Sequence, residues 1–359
     1  MLWRFIETLL VSLTGGLLFR LLHMPLPWLL GSLTATMIWN LAARRSLLWP
    51  VQLRNSGLII LGYMLGSSFT LETGLQIIKQ LPAMMLATSS TILFSLFIGY
   101  ITYRGTGISL ATGIIGSVPG GLTQMVVLGE EIADTDLTVV TFMQTLRLLS
   151  AVFIIPFLVI HGLASDNQQA IATNIPEVYN SVVHAPWIAL LFTGAVLIAA
   201  WIAVRINLPT PFLLGPLLGA AVLVLTGFQA PTTPSFLVFI SQLCIGTYLG
   251  LTINPTSLEN WKKLLPYALG GSILVVFFSL GVGYLLTRLH SLDLISAFLG
   301  TSPGGMGEMG LTAVLVRANV SLVTAYQMFR LLFILFVMPF LLKWHFGRAT
   351  SREKTTHTG

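Results

Sequence analysis

Apolar residues run almost unbroken through this chain in stretches separated by short polar interruptions. The stretches fall at about 5–22, 28–43, 56–70, 82–103, 109–128, 137–160, 185–204, 212–228, 235–253, 266–287, 294–316 and 320–342. A helix needs roughly 20 residues to cross a bilayer, so most of these read as spanning helices, with 28–43 and 56–70 short. A strand barrel would alternate apolar and polar positions, which these runs do not do. The pattern predicts an all-α, polytopic transmembrane helical bundle. Met1-Leu2-Trp3-Arg4 leads straight into the first run with no small-residue cleavage pattern, so that run is read as a first span and not as a cleaved signal.

The polar and glycine positions inside the runs repeat. Pro25, Pro27 and Gly31 match Pro209, Pro211 and Gly215; Gly62 and Gly66 match Gly246 and Gly250; Pro82 matches Pro266. Gly116, Pro119, Gly120 and Gly121 match Gly300, Pro303, Gly304 and Gly305, all at a spacing of 184. Gln144, Arg147 and Pro156 match Gln327, Arg330 and Pro339 at 183, one residue having been lost in between. Apolar matches are cheap in such a chain, whereas a constant spacing through Pro, Gly, Gln and Arg is not. The sequence thus predicts two homologous six-segment repeats, 1–160 and 185–343. They are joined by a linker at 161–184 and followed by a polar, disordered tail at 344–359.

Composition and charge agree with this. Hydrophobic residues make up 55% and charged residues 8% of 359, against about 25% charged in soluble domains. Mean hydropathy is +0.88. The formal charge of +6 is spread over short loops and a tail holding Lys343, Arg348, Arg352 and Lys354. That is the pattern of positive residues kept on the cytoplasmic side, not a clustered basic face for nucleic acid. The linker holds Asp166 and Glu177 and no Lys or Arg, so it is expected outside the cytoplasm. The second repeat would then cross an odd number of times. This predicts inverted repeats, each with one segment that enters and returns, broken at its Pro-Gly-Gly; parallel repeats with twelve spans are the alternative. Inverted repeats with broken helices typify secondary transporters.

Chemistry is expected where polar groups sit inside the runs. Proline lacks an N–H and paired glycines adopt backbone angles other residues avoid, so Ser117, Pro119, Gly120, Gly121 and Ser302, Pro303, Gly304, Gly305 predict two helix breaks. Such breaks offer free main-chain groups and helix N-termini to a solute; a packing kink is the plainer reading. Arg147 and Arg330 each lie about ten residues into an apolar run, where an arginine is costly and usually faces a bundle interior or a cavity. Gln144 and Gln327 precede them by three residues and share their helix faces. Each arginine is read either as an anion-attracting group or as a brace that caps the carbonyls of the neighbouring break. Glu308 follows the second break, and its partner in the first copy is Gln124. It would pair with Arg147 or Arg330, or carry a proton during transport. Glu130, Glu131, Asp134 and Asp136 lack the spacing of a calcium loop and read as a solvated loop. Cys244 is the single cysteine and the six histidines are scattered, so neither a disulfide nor a metal site is expected. No nucleotide loop or nucleophile elbow appears, and neither a catalytic residue nor a cofactor is expected.

The paired segments Ser117-Val-Pro-Gly-Gly121 with Gln144-x-x-Arg147, and Ser302-Pro-Gly-Gly305 with Gln327-x-x-Arg330, resemble the bacterial membrane AbrB family over nearly the whole chain. The first copy departs in having Val118 where the second has Ser302. The resemblance implies a duplicated, multi-pass protein of the cell inner membrane. Members often carry the label of ammonia monooxygenase or of regulator of aidB expression. The first label would need clustered copper ligands, which the sequence lacks. The expectation is therefore not an enzyme but a secondary transporter or permease for a small, anionic solute, with protons as the coupling ion. The alternative is a non-transporting membrane regulator. Expected partners are the lipid bilayer, the solute and, in a homo-oligomer, further copies of the chain, with no direct contact to nucleic acid.

Overall fold

The structure, a computed structural model, describes residues 2–43, 47–163, 186–252, 261–290 and 292–356. Side chains from Lys343 onward lie outside the description, as do Arg44, Arg45 and the expected linker from 164 on. The described residues are all-helical. The first copy holds α1 (Leu2–Leu21), α2 (Pro27–Ala43), α3 (Val51–Gly66), α4 (Leu71–Thr106), α5 (Leu110–Ser117), α6 (Leu122–Glu130) and α7 (Leu137–Leu158), which passes into a π turn over Val159–Leu163. The second holds α8 (Pro186–Arg205), α9 (Pro211–Leu225), α10 (Ser235–Thr252), α11 (Trp261–His290), α12 (Leu294–Thr301), α13 (Met306–Leu315) and α14 (Val320–Thr356). Every apolar stretch of the sequence lies on a helix, except that 109–128 and 294–316 are each split into two. Among the described residues six stretches are long and apolar enough to cross a membrane: Leu71–Thr106, Leu137–Leu163, Trp187–Arg205, Ser235–Thr252, Trp261–His290 and Val320–Leu342. This is a membrane-type protein.

Two compact units draw on both copies. One comprises 1–79, 156–253 and 307–324; the other comprises 80–155, 254–306 and 325–359. In the first unit, glycines let helix backbones touch. A Cβ at Gly62 or Gly66 of α3 would collide with the carbonyl oxygens of Leu213 and Leu217 on α9. A Cβ at Gly246 or Gly250 of α10 would collide with those of Leu29 and Leu33 on α2. Both pairs advance together along the chain, so α3 runs parallel to α9 and α10 parallel to α2. The partners of the two pairs are also 184 positions apart. Small residues allow this approach, and the dispersion attraction of closely packed backbones replaces a hydrophobic drive that lipid does not supply.

Within each copy the neighbours run antiparallel. Gly15 and Gly16 of α1 lie against Gly31 and Trp28 of α2, and Gly215 and Gly219 of α9 against Ala199 and Ala195 of α8. The crossing of α3 with α10 is antiparallel too. Gly57 meets Ser241, whose hydroxyl donates to the Gly57 carbonyl at 2.8 Å, while the Arg54 guanidinium lies 4.9 Å from the Tyr248 ring centroid. Taken together, α1, α2 and α3 point up, down and up where α8, α9 and α10 point down, up and down. Equivalent helices therefore oppose each other.

The second unit repeats the relation. Phe94 of α4 stacks on Phe278 of α11 at 4.2 Å and 2°, and these are equivalent positions. Ile98 and Gly105 of α4 then meet Gly271 and Tyr267 of α11. As α4 advances, α11 recedes, so this pair is also antiparallel.

The close backbone contacts predict a sharp contrast between glycines. Gly66→Leu has to separate α3 from α9 and should destabilise by about 3 kcal/mol or more. Gly194→Ala in α8 meets nothing within 4 Å and should be neutral or stabilising by up to about 1 kcal/mol. Thermal unfolding of the detergent-purified protein checks both.

Candidate functional site

Both breaks form because a proline restricts the residue before it to extended backbone. Val118, preceding Pro119, sits at φ −63°, ψ 131°, and Ser302, preceding Pro303, at φ −64°, ψ 146°. Helices α5 and α12 stop there. Each begins on a side-chain cap, Ser109 accepting from the Thr112 N–H at 3.1 Å and Asp293 from the Ser296 N–H at 3.0 Å. The chain resumes helix at Leu122 and Met306.

A proline also leaves a carbonyl without its helical donor. The groups that would bond Pro119 and Pro303 are the carbonyls of Ile115 and Leu299, four residues back. Gln144 Nε2 donates to the Ile115 oxygen at 2.8 Å, and Gln327 Nε2 to the Leu299 oxygen at 2.7 Å. The same amides reach Val118 at 3.0 Å and Ser302 at 3.1 Å. The arginines complete the bracing. Arg147 donates to the carbonyls of Val118 and, at 2.8 Å, Gly120. Arg330 donates to Ser302 and, at 2.7 Å, Gly304. All four side chains are at most 7% exposed. The spacing Gln-x-x-Arg places both donors on one face, one helical turn apart, so each motif covers one break.

These contacts lie within the second unit, and there Arg147 is within Coulombic reach of Arg330. Among the described residues neither guanidinium has a carboxylate as hydrogen-bond partner, and Nε of each is buried without a partner. Arg330 alone has a further partner, donating to Gln327 Oε1 at 2.6 Å, whereas Gln144 Oε1 has none. A cavity of about 20 Å³ opens beside the first break, among α4, α5, α7 and α11, with Ser117 and Arg147 in its wall. Thr102, Tyr267 and Ser272 line it as well, and nothing in their sequence context marks them.

The remaining candidates have other partners. Gln124 reaches back to the Gly121 N–H at 3.3 Å and caps the start of α6. Glu308 belongs to the first unit, in the first turn of α13, and is 8% exposed. The basic group within Coulombic reach of it is Arg54, in the first turn of α3. Arg54 and Glu308 are far apart in the sequence, and only the fold brings them near each other. Asp136 accepts from the Thr138 and Val139 N–H groups at 2.9 and 3.2 Å, as the cap of α7. Among the described residues no three of His, Cys, Asp and Glu gather as a metal site.

Removing a brace exposes its cost. Arg147→Met leaves the Val118 and Gly120 carbonyls without that donor and should lower stability by about 2–4 kcal/mol. Arg147→Lys, with one nitrogen for two carbonyls, should fall between. Melting of both variants against the parent protein checks the order.

Known proteins resemble this chain along most of its length. It is 27% identical over 336 residues to the "Putative regulator AbrB" of Escherichia coli (strain K12), covering 92% of each chain. It is 26% identical over 351 residues to the "Uncharacterized protein YhjN" of Bacillus subtilis (strain 168), covering 92% of this chain and 90% of that one. The family model described as "Transition state regulatory protein AbrB" matches residues 28–346, a range that takes in both breaks and both Gln-x-x-Arg motifs. The chain belongs to the AbrB family.

Proposed function

We propose that the protein is a secondary transporter or permease of the inner membrane for a small anionic solute, bound at the two broken helices. The observation that carries this is the pair of buried guanidiniums, Arg147 and Arg330, each bound to carbonyls of its own break and, among the described residues, hydrogen-bonded to no carboxylate. Two like charges in a low-dielectric interior repel each other, and a bound anion removes that repulsion. The opposed directions of equivalent helices support the reading, since copies inverted in the membrane give alternating access around one site.

In this scheme Pro119, Gly120, Gly121 and Pro303, Gly304, Gly305 shape the site. Gln144 and Gln327 hold the breaks open, and the two arginines supply the positive field. Glu308, with Arg54 as its counter-charge, is the proton carrier. It stands where the first copy has the neutral Gln124, so only one copy would titrate. None of these steps requires a cofactor or an enzymatic reaction. The name of the Escherichia coli relative favours a second reading, a regulator that does not transport, whose cytoplasmic partner would bind the segment after Leu342.

Uptake by proteoliposomes of radiolabelled small carboxylates and inorganic anions tests the transport reading. Flux should rise with an inward proton gradient, and Glu308→Gln should abolish that dependence while leaving exchange. Flux no greater than in protein-free vesicles refutes transport, and unaltered flux in both Arg147→Gln and Arg330→Gln refutes the role of the arginines. Truncation after Leu342 should leave flux intact; a regulator would lose its regulation.

A further inference from the structure

The two breaks, so alike in sequence, differ in what their side chains leave open. Ser117 is 7% exposed and its hydroxyl has no hydrogen-bond partner. The equivalent Thr301 hydroxyl is taken up by the carbonyls of Ala297, at 2.9 Å, and Ser279, at 3.1 Å. Met143 lies against Gly116, while the equivalent position against Gly300 is filled by the bulkier ring of Tyr326. Gln144 Oε1 is unpartnered, while Gln327 Oε1 holds Arg330. These differences leave the Ser117 hydroxyl and the Gln144 oxygen unmet at the first break; at the second, the unmet groups are the hydroxyls of Tyr326 and Ser279, and the Tyr326 ring takes the place of the smaller Met143.

The cavity at that break measures about 20 Å³, and roughly 10–15 Å³ suffices to seat one water-sized particle. Its wall combines a guanidinium, Arg147, with the hydroxyl of Ser117 and with Thr102, Tyr267 and Ser272, and it contains no acidic side chain. The Thr102 and Ser272 hydroxyls already donate to Ile98, at 2.9 Å, and Ala268, at 2.7 Å. The buried donors without a partner are the Ser117 hydroxyl and Arg147 Nε, and the hydroxyl of the half-buried Tyr267 has no protein partner either among the described residues. A cation would be repelled there, and an apolar group would leave both donors buried and unpaired.

We propose that the cavity at Ser117 and Arg147 is a subsite for a single anionic atom, a halide or one terminal oxygen of a small oxyanion, present in the first copy only. It deepens the transport reading, resting on the same arginine, but it is a claim about binding and is measured without flux. Met143 sets its size, and Tyr326 closes the corresponding space in the second copy.

The test uses the full chain purified in detergent in halide-free potassium gluconate, with bromide titrated in at constant ionic strength and thermal unfolding followed. The unfolding temperature should rise saturably with bromide. Ser117→Ala, which removes a donor and almost no volume, should weaken bromide binding about tenfold, the effect of losing a hydrogen bond to a charged group. Met143→Tyr, which copies the second break, should abolish it. Competition by nitrate or formate shows that the subsite also accepts an oxyanion oxygen, and its lack restricts the subsite to halides. No saturable shift in the parent protein, the result if the cavity holds only water, overturns the proposal. So does an unchanged bromide affinity in Ser117→Ala, which decides the matter should Met143→Tyr fail to fold. Bromide binding without solute flux would count against the transport reading and leave the subsite standing.

Discussion

The missing N–H of a proline is the constraint around which this protein's candidate site is organised. Pro119 and Pro303 each deprive a helix of one donor and force the preceding residue out of helical geometry, leaving carbonyls buried in a chain with little water to offer them. In an apolar interior each such group costs several kcal/mol if unmet. The remedy comes from the helix that follows in each copy, where a glutamine supplies the bond the proline cannot make and an arginine one turn later covers the next two carbonyls. Break and brace are one unit, which is why the two motifs occur as a pair in each copy.

Bracing and anion attraction are compatible roles for one guanidinium. Hydrogen bonds to carbonyls hold Arg147 and Arg330 in place without neutralising them, because a carbonyl carries a dipole and no net charge. A carboxylate partner would have given a stable pair and an inert site. The carbonyl braces leave two buried positive charges without a carboxylate partner among the described residues, a costly arrangement.

Glycine does a second job away from the breaks. Gly62, Gly66, Gly246 and Gly250 bring helix backbones into direct contact, and their partner residues are spaced by the same 184 positions as the glycines. The glycine spacing was readable from the chain and flagged a repeat, but not what lay against each glycine. Likewise Phe94 and Phe278 look like ordinary lipid-facing or core aromatics until their rings are found stacked. The opposed helix directions emerge only from such contacts, since a repeat in sequence has no direction in space.

By itself the sequence determined the helical class, the positions of the apolar segments and, through Pro119 and Pro303, the places where helices stop; its matched positions pointed to a duplication. All of these follow from local rules: the length of apolar runs, the missing proline N–H and the periodicity of matched residues. Tertiary structure alone decided which carbonyls the glutamines and arginines serve, that Arg54 of the same compact unit is the charge set near Glu308, and that the first break keeps a cavity while Tyr326 lies against the second. Those outcomes depend on which side chains distant segments bring into contact. A one-residue difference such as Met143 against Tyr326 matters only once the space it fills exists.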